Sequence, residues 1–326
     1  MTALPANSIL SRHRWNAGEL VWLVCALGCF FTFPEYLALG TAVLVMVLLV
    51  LSYDLLLGFS GVLSLGHAVY FGLGAFTAGW LSLAGWKDPV LDALLAAAAS
   101  GLAAALLGPF LLRLTGLPLL MVTLALCVLV FEAAHLATPI TGGDDGLSGV
   151  QFAPVLGLFD WGLGGRTSYL YSLAWLTLVY VLLKRVVASP FGVILQGIRE
   201  NPKRMRLMGN RVLPHLTISY SIGGALAGLA GALFTEANAF VGLGVLSLET
   251  SIDVLVMLVL GGVGTLSGAL IGAPVYMVLK HFASQWSPFY WMLVIGPLLI
   301  AVVLFGRGGL LGSARTIVAR WRRAQP

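Results

Sequence analysis

The chain has 326 residues, of which 59% are hydrophobic and 10% charged, and its formal net charge is +5. Soluble domains are about half apolar and about one quarter charged. A mean hydropathy of +0.98 therefore excludes a soluble globular protein and indicates that lipid surrounds much of the chain. The apolar runs are long and unbroken, which favours helices over the short alternating strands of a membrane barrel. The sequence predicts an all-α, polytopic integral membrane protein.

Apolar runs predict about ten transmembrane helices. In chain order they cover residues 19–33, 36–56, 62–84, 90–112, 117–138, 169–187, 214–238, 250–266, 267–286 and 289–306. The glycine-rich stretches at 58–66 and 261–268 are expected to be broken or re-entrant, because non-helical backbone within a membrane must be covered by protein or by a water-filled cavity. The predicted organisation is a cytoplasmic segment 1–18, one transmembrane domain 19–306 with an acidic external loop 139–168 and a basic internal loop 188–213, and a basic tail 307–326.

The charged residues orient these helices. Ten crossings that start from the cytoplasm place most of the arginines and lysines inside, including Arg113, the cluster between 199 and 211, and the tail. The external loops then hold acids, among them Asp92, Asp144 and Asp145. This distribution follows the positive-inside rule and predicts that both termini are cytoplasmic.

The acidic external loop contains the stretch ITGGDDGLSGV at 140–150. Its glycines and adjacent aspartates predict a turn-rich loop. The DxDxDG spacing and the closing glutamate of a calcium loop are missing. We therefore expect a surface that docks or gates a partner rather than a calcium site.

The basic internal loop is expected to contain a short amphipathic helix. Asn201 is a candidate N-cap for a helix that starts at Pro202. Met205 and Met208 would then be buried and Arg204 exposed. Such a helix either lies on lipid headgroups or docks in the groove of a cytoplasmic partner. The residues alone favour neither alternative.

Catalytic and metal-binding motifs are absent from the sequence. No GxxxxGK[ST] phosphate loop, HExxH or GxSxG occurs, so we expect neither enzymatic activity nor ATP hydrolysis by this chain. Glu132 and His135 form a single ExxH pair on one helix face, which supplies too few ligands for a di-metal site in a helix bundle. No metal and no cofactor is predicted for this chain.

Several ionisable residues fall inside or beside the predicted spans. A charge at a helix centre costs about 2.5–3.5 kcal/mol, so such residues usually face protein or a water path. The structural interpretation is an interhelical hydrogen bond or a lysine pair, and the functional interpretation is a proton relay or a substrate contact. Glu132 and Asp253 are expected to lie deepest. The complete set is Asp54, His67, Glu132, His135, Glu236, Asp253, Lys280 and His281.

Glycines at spacings of three and four residues, such as Gly224, Gly228 and Gly231, predict tight helix crossings. The stretches GVLSLGHA at 61–68 and GVGTLSGA at 262–269 resemble each other. This similarity suggests an internal repeat of the kind that many transporters use.

Six segments carry a resemblance to a known family. They are YDLLLGFSGVLSLGHAVYFGLGAFTAG (53–79), GLPLLMVTLAL (116–126), ITGGDDGLSGV (140–150), SPFGVILQGIRENPKRMRLMG (189–209), GGALAGLAGALF (223–234) and VLVMLVLGGVGTLSGALIGA (254–273). In this order they resemble the second permease subunit, often called M, of the branched-chain amino-acid ABC importers. The resemblance extends over nearly the whole chain.

The resemblance implies a non-enzymatic subunit that moves branched-chain or related amino acids into the cytoplasm across the bacterial inner membrane. The implied partners are a homologous second permease, two cytoplasmic ATP-binding subunits that hold ATP and Mg, and an external solute-binding protein. Neither a cofactor on this chain nor a nucleic-acid partner is implied. In such systems the binding protein largely selects the cargo, so the sequence does not fix the solute.

The resemblance also assigns residues to functions. Segment 189–209 matches the coupling segment of the family, and its candidate ATPase contacts are Arg199, Glu200, Asn201, Arg204 and Gly209. The acidic loop would face the binding protein through Gly143, Asp144, Asp145 and Gly146. If the chain is a permease, a mildly polar path for zwitterions is predicted at Gly61, Ser64, Gly66, His67 and Gly72.

A proton-coupled secondary transporter that works without ATPase partners is the alternative function. Protons would then pass through Glu132, Glu236 or Asp253. The long basic internal loop argues against this alternative, since a lone carrier needs no docking helix.

Overall fold

The computed structural model of the chain describes residues 17–32, 34–155, 159, 161, 165–286 and 296. Within them the secondary structure is helical, apart from two isolated backbone bridges that join Leu147 to Val241 and Val155 to Phe159. The predicted all-α fold is thus confirmed for this part of the chain. The predicted span 289–306, except Gly296, and the basic tail lie outside the described residues.

Eleven helices organise the described residues. They are α1 (Ala17–Thr32), α2 (Leu37–Tyr53), α3 (His67–Leu83), α4 (Pro89–Leu111), α5 (Leu117–Leu136), α6 (Arg166–Ala188), α7 (Pro190–Glu200), α8 (Pro202–Leu207), α9 (Val212–Asn238), α10 (Leu248–Gly261) and α11 (Leu266–Trp286). A π-helical stretch, Asp54–Phe59, continues α2. Short helical turns lie at Pro34–Tyr36, Thr138–Thr141, Gly143–Asp145 and Leu243–Leu246.

The number of membrane crossings differs from the sequence prediction. In the described residues, six segments are long and apolar enough to cross a membrane: Pro34–Phe59, Pro89–Leu111, Leu117–Leu136, Arg166–Ala188, Val212–Asn238 and Leu266–Gln285. This supports a multi-pass membrane protein, whereas the predicted count of about ten is not confirmed. Helices α3 and α10 have only 17 and 14 residues, fewer than the ~20 of a full crossing. Each begins after an interruption in the helical backbone.

The helix connections gather at two ends of the molecule. At one end Trp80 Nε1 donates to the Ile140 carbonyl oxygen over 2.8 Å, beside the backbone bridge between Leu147 and Val241. At the other end the Arg199 guanidinium donates to the carbonyl oxygen of Gly58. Following the orientation predicted from the charges, we call the first the outer end and the second the inner end.

Helix α9 is at the centre of the packing, with α3 and α4 as its main neighbours. Glycines on α9 allow this close approach. A Cβ atom at Gly231 would overlap the carbonyl oxygen of Phe71 and stand 2.7 Å from the backbone nitrogen of Ala75. Gly224 and Gly228 face α4 in the same way. The tight crossing predicted for this glycine face is confirmed.

Replacing Gly231 with leucine is expected to destabilise the bundle, because the backbone of α3 leaves no space for a side chain. We expect a loss of about 1–3 kcal/mol, typical of overpacking, measured as a lower midpoint of thermal unfolding in detergent. Gly28→Leu is the matched control, since a Cβ at Gly28 of α1 would meet no atom within 4 Å. Equal midpoints for the two variants would contradict this account of the packing.

Candidate functional site

The first interruption of the helical backbone covers residues 60–66, which we call the inner break. Side chains of neighbouring helices satisfy its backbone. Tyr53 Oη donates to the carbonyl oxygen of Ser64 over 2.9 Å, and Thr123 Oγ1 accepts from the Leu65 nitrogen over 3.1 Å. Non-helical backbone is tolerated at membrane depth only when protein or a cavity covers it. The inner break meets this condition through contacts with α2 and α5.

His67 begins α3 immediately after the inner break and is 1% exposed. Its Nε2 lies 2.7 Å from Ser52 Oγ, which in turn donates to the carbonyl oxygen of Leu49 over 2.6 Å. Since the serine proton is used in this second bond, we assign the proton of the ring to Nε2. The Nδ1 atom is then a buried acceptor that has no hydrogen-bond partner among the described residues.

A second interruption, residues 239–247, is called the outer break. It begins at Ala239, whose φ is 51°, and ends where α10 starts. Leu246 packs on Gly72 of α3, and its carbonyl oxygen accepts from Cys127 Sγ over 3.5 Å.

The two breaks approach each other across the first turns of α3. Just after the outer break, Ser251 Oγ on α10 accepts from the backbone nitrogen of Ala68, over 3.0 Å. Ala68 lies two residues beyond the inner break. Discontinuous helices that meet in this way supply the substrate sites of many transporters.

The residues predicted to line a path lie in or beside the inner break. Four of them are buried between helices, namely Ser64, Gly66, His67 and Gly72. Gly61 is exposed at the inner end instead. Their part in translocation stays a prediction. Sequence reasoning missed the outer break, for which the only signal is the pair of glycines in the stretch 241–247, VGLGVLS.

Arg199, the penultimate residue of α7, ties the basic internal loop to the inner break. Its Nη1 donates to the Gly58 carbonyl oxygen. Its stem fills the space beside Gly61, where a Cβ atom would lie 3.0 Å from Arg199 Cγ. The same guanidinium reaches the turn between α10 and α11, since a Cβ at Gly264 would stand 2.7 Å from Nη1.

Asp54, the first residue of the π-helical stretch that continues α2, completes this contact. Its Oδ1 accepts from the Gly264 nitrogen over 2.7 Å. The carboxylate is fully buried and lies near the guanidinium of Arg199. The two similar stretches 61–68 and 262–269 therefore meet beside Arg199, which lies against both Gly61 and Gly264. We call Asp54, Gly58, Arg199 and Gly264 the inner clasp.

The basic internal loop folds as two consecutive helices, α7 and α8. Asn201 caps α8 as predicted, since its Oδ1 accepts from the Arg204 nitrogen over 3.0 Å. Met205 packs against α7 at Gly197. The expectation that Met208 is buried is wrong, because α8 ends at residue 207 and Met208, 67% exposed, lies beyond its last turn. Arg204 and Glu200 are exposed.

The stretch 140–150 of the acidic loop contacts the outer break and α5. Gly146, with φ of +65°, lies against the backbone of the outer break. Asp144 Oδ1 is 3.0 Å from Nδ1 of His135, while its side chain stays 81% exposed. Asp145 is also exposed. The loop thus presents two carboxylates on a surface fixed to α5 and to the outer break.

Two of the predicted intramembrane ionisable residues have clear surroundings. Asp253 on α10 accepts from Lys280 over 2.7 Å and from Tyr276 over 2.5 Å, which supports the lysine-pair interpretation. The side chain of Glu132 is exposed on α5, and its depth in the membrane stays a prediction. Among the described residues no three His, Cys, Asp or Glu side chains gather into a metal site, and His135 faces Asp144 rather than Glu132.

Asp92 was expected in an external loop and is instead fully buried on the first turns of α4. Helices α4 and α9 are antiparallel, with Ala96 beside Gly228, so Asp92 lies one turn further toward Glu236. The carboxylate oxygens of both acids and Tyr171 Oη lack hydrogen-bond partners among the described residues. Glu236, 3% exposed, also borders a cavity of about 330 Å³ at the outer end.

Residues 36–303 match the family model described as "Branched-chain amino acid transport system / permease component". The chain belongs to this family. It is 29% identical over 302 residues to the high-affinity branched-chain amino acid transport system permease protein LivM of Escherichia coli K12, covering 85% of this chain and 70% of that protein.

Other permeases give the same result. The LivM protein of Salmonella typhimurium LT2 is 28% identical over 302 residues, again covering 85% of this chain and 70% of the relative. A probable LivM of Methanocaldococcus jannaschii is 28% identical over 109 residues, which is 32% of this chain and 30% of the relative. No solved structure matches the chain. The resemblance found in the sequence is thus confirmed at the level of the family.

As a branched-chain amino acid permease component, the chain is part of a transport system. The structure brings Arg199, one of the predicted coupling residues, to the inner clasp and leaves Glu200 and Arg204 on the surface. Thr123, which bonds the inner break, and Ser251, which bonds the first turn of α3, were not singled out from the sequence. A single hydroxyl in an apolar run gives no signal of the backbone it will bind.

The Asp253–Lys280 pair should behave as a coupled unit in stability measurements. Lys280→Met leaves the carboxylate, whose side chain is 16% exposed, without its nearest cation. We expect that variant to lose about 1–3 kcal/mol, and Asp253→Asn combined with Lys280→Met to recover part of the loss. Thermal unfolding of the single and double variants measures the coupling, with exposed Lys203→Met as the control. Strictly additive effects would show that the two side chains stabilise α10 and α11 independently.

Proposed function

We propose that this chain is one of two permease subunits of an ATP-binding-cassette importer that moves branched-chain or related amino acids into the cytoplasm. ATP and Mg would be held by two cytoplasmic partner subunits, and this chain would bind no cofactor. An external solute-binding protein would deliver and largely select the amino acid. The complex would lie in the bacterial inner membrane, with the inner end of this chain facing the cytoplasm.

The inner clasp is the observation that supports this proposal most. Helices α7 and α8 form a basic surface that carries exposed Glu200 and Arg204 and two exposed apolar residues, Leu207 and Met208. Such a surface suits the groove of a cytoplasmic protein. From this surface Arg199 reaches the inner break directly. A partner that moves α7 would therefore act on the interrupted helices without any intervening element.

The remaining partners are proposed from two other surfaces. Asp144 and Asp145 would meet the solute-binding protein, together with Gly143 and Gly146. Helix α5 packs its Thr123 side toward the breaks and leaves large apolar residues uncovered in its outer half, namely Leu129 and Leu136. The second permease would cover this face, and the path would run between the two subunits beside Ser64, Gly66, His67 and Gly72.

Purification of the chain from its native membrane in mild detergent tests the assembly. We expect a second permease and ATP-binding subunits to co-purify, and the reconstituted complex to take up leucine only with ATP and binding protein. Recovery of the chain alone, active under a proton gradient and stopped by a protonophore, would establish the secondary-transporter alternative. The buried acids Asp92 and Glu236 are the observation that favours that alternative, since Asp253 is paired with Lys280 and Glu132 is exposed.

Glu200→Ala tests the proposed ATPase contact. The side chain is exposed, so we expect normal membrane insertion with uptake reduced by about tenfold, equivalent to about 1.4 kcal/mol of coupling. Arg185→Ala is the matched control, because Arg185 is also exposed, at the inner end of α6. ATP-dependent uptake in proteoliposomes is the measurement. Full uptake by the Glu200 variant would move the contact elsewhere on α7 and α8.

A further inference from the structure

A cavity of about 630 Å³ opens at the inner end, apart from the buried region where the two breaks meet. Three elements enclose it: the turn between α4 and α5, the start of the inner break, and the α7–α8 loop with the beginning of α9. Three arginines line it, Arg113, Arg199 and Arg206, and no aspartate or glutamate does. The cavity is therefore a concentrated positive site.

Arg113 and Arg206 have no acidic partner among the described residues, whereas Arg199 lies near the buried carboxylate of Asp54. No ion pair among the described residues involves any of the three, although Arg199 donates one hydrogen bond to Gly58. Arg113 and Arg206 are exposed. Planar guanidinium groups bind phosphate oxygens in a bidentate manner, so an anionic phosphate group would complement the site.

The walls of the cavity are largely apolar, so they favour a ligand with an apolar part over a free anion. They include Val62, Leu63, Leu120, Leu213 and Leu216. Leu117 lines the cavity and is 73% exposed, and Met121, one turn further along α5, is 69% exposed. An apolar track thus leads from the arginines along a membrane helix. A ligand with a charged head and an apolar tail uses both features, whereas inorganic phosphate or a soluble acidic peptide uses only the first.

We propose that this cavity binds the headgroup phosphate of an anionic phospholipid of the cytoplasmic leaflet, with an acyl chain lying along α5. Basic pockets between helices on the cytoplasmic side are established sites for such headgroups. The inference rests on the proposed orientation of the inner end but not on the identity of the cargo. Because Arg199 and Gly61 line the cavity, the bound lipid touches the elements that join the α7–α8 loop to the inner break.

Native mass spectrometry of the purified complex, titrated with phosphatidylglycerol, tests the site. We expect Arg113→Gln combined with Arg206→Gln to weaken binding by about tenfold and Arg185→Gln, outside the cavity, to leave it unchanged. Phosphatidylcholine should bind at least about tenfold more weakly than phosphatidylglycerol, since it lacks net charge. Equal binding of both lipids, or an unchanged affinity of the double variant, would overturn the proposal.

Two further measurements separate the lipid from other occupants. Inorganic phosphate should fail to displace phosphatidylglycerol, and Leu117→Asn should weaken binding of the long-chain lipid more than of its dihexanoyl form. Displacement by phosphate, or an equal effect on both chain lengths, would assign the cavity to a free anion. Lipid bound by the isolated chain but absent from the complex with its ATPase subunits would assign it to a protein interface. If the double variant does not fold, Arg113→Lys and Arg206→Lys replace it as single variants that keep the charge. Each should lower the affinity for phosphatidylglycerol by less than the about tenfold expected of the double variant.

Discussion

The fold depends on satisfying backbone polar groups where helices are interrupted inside an apolar environment. The inner break leaves α2 through a π-helical stretch, and the α10–α11 turn approaches it from the other side. Asp54 accepts from one of these backbones, and Arg199 donates to the other. A buried carboxylate and a guanidinium thus replace the water that lipid excludes. Removing either side chain would leave a buried backbone polar group without its hydrogen-bond partner.

In the proposed importer, the surface of α7 and α8 that would contact the ATPase subunits lies beside the interrupted helices. Arg199 belongs to a surface loop, but its guanidinium contacts the π-helical stretch before the inner break and the turn between α10 and α11. The outer break touches α3 one and a half turns beyond the inner one, at Gly72. In the proposed importer, a shift of α7 would therefore act directly on the inner break and reach the outer break only through α3. The similar stretches 61–68 and 262–269 meet at the clasp, as paired discontinuous helices do in transporters.

Much of this organisation could be predicted from the sequence, and the failures share one cause. Local signals such as the Asn201 cap and the α9 glycine face do not depend on the solvent, and both are confirmed. In lipid, however, exposed and buried helix faces are equally apolar, so periodicity does not show which side faces protein. The exposed side chain of Glu132 and the buried side chain of Asp92 were therefore not predicted. Hydropathy also cannot separate a full crossing from the shorter α3 and α10.

The buried acids differ in whether a cation lies beside them. Asp253 accepts hydrogen bonds from Lys280 and Tyr276, so its negative charge is compensated within the chain. Asp92 and Glu236 lie on the adjoining helices α4 and α9, and neither has a hydrogen-bond partner or an ion pair among the described residues. Two like charges in an apolar setting repel, and an intramembrane acid without a partner usually marks a route for ions or substrate. Glu236, which borders the outer cavity, and Asp92 are therefore the candidates for such a route in this chain, separate from the inner clasp.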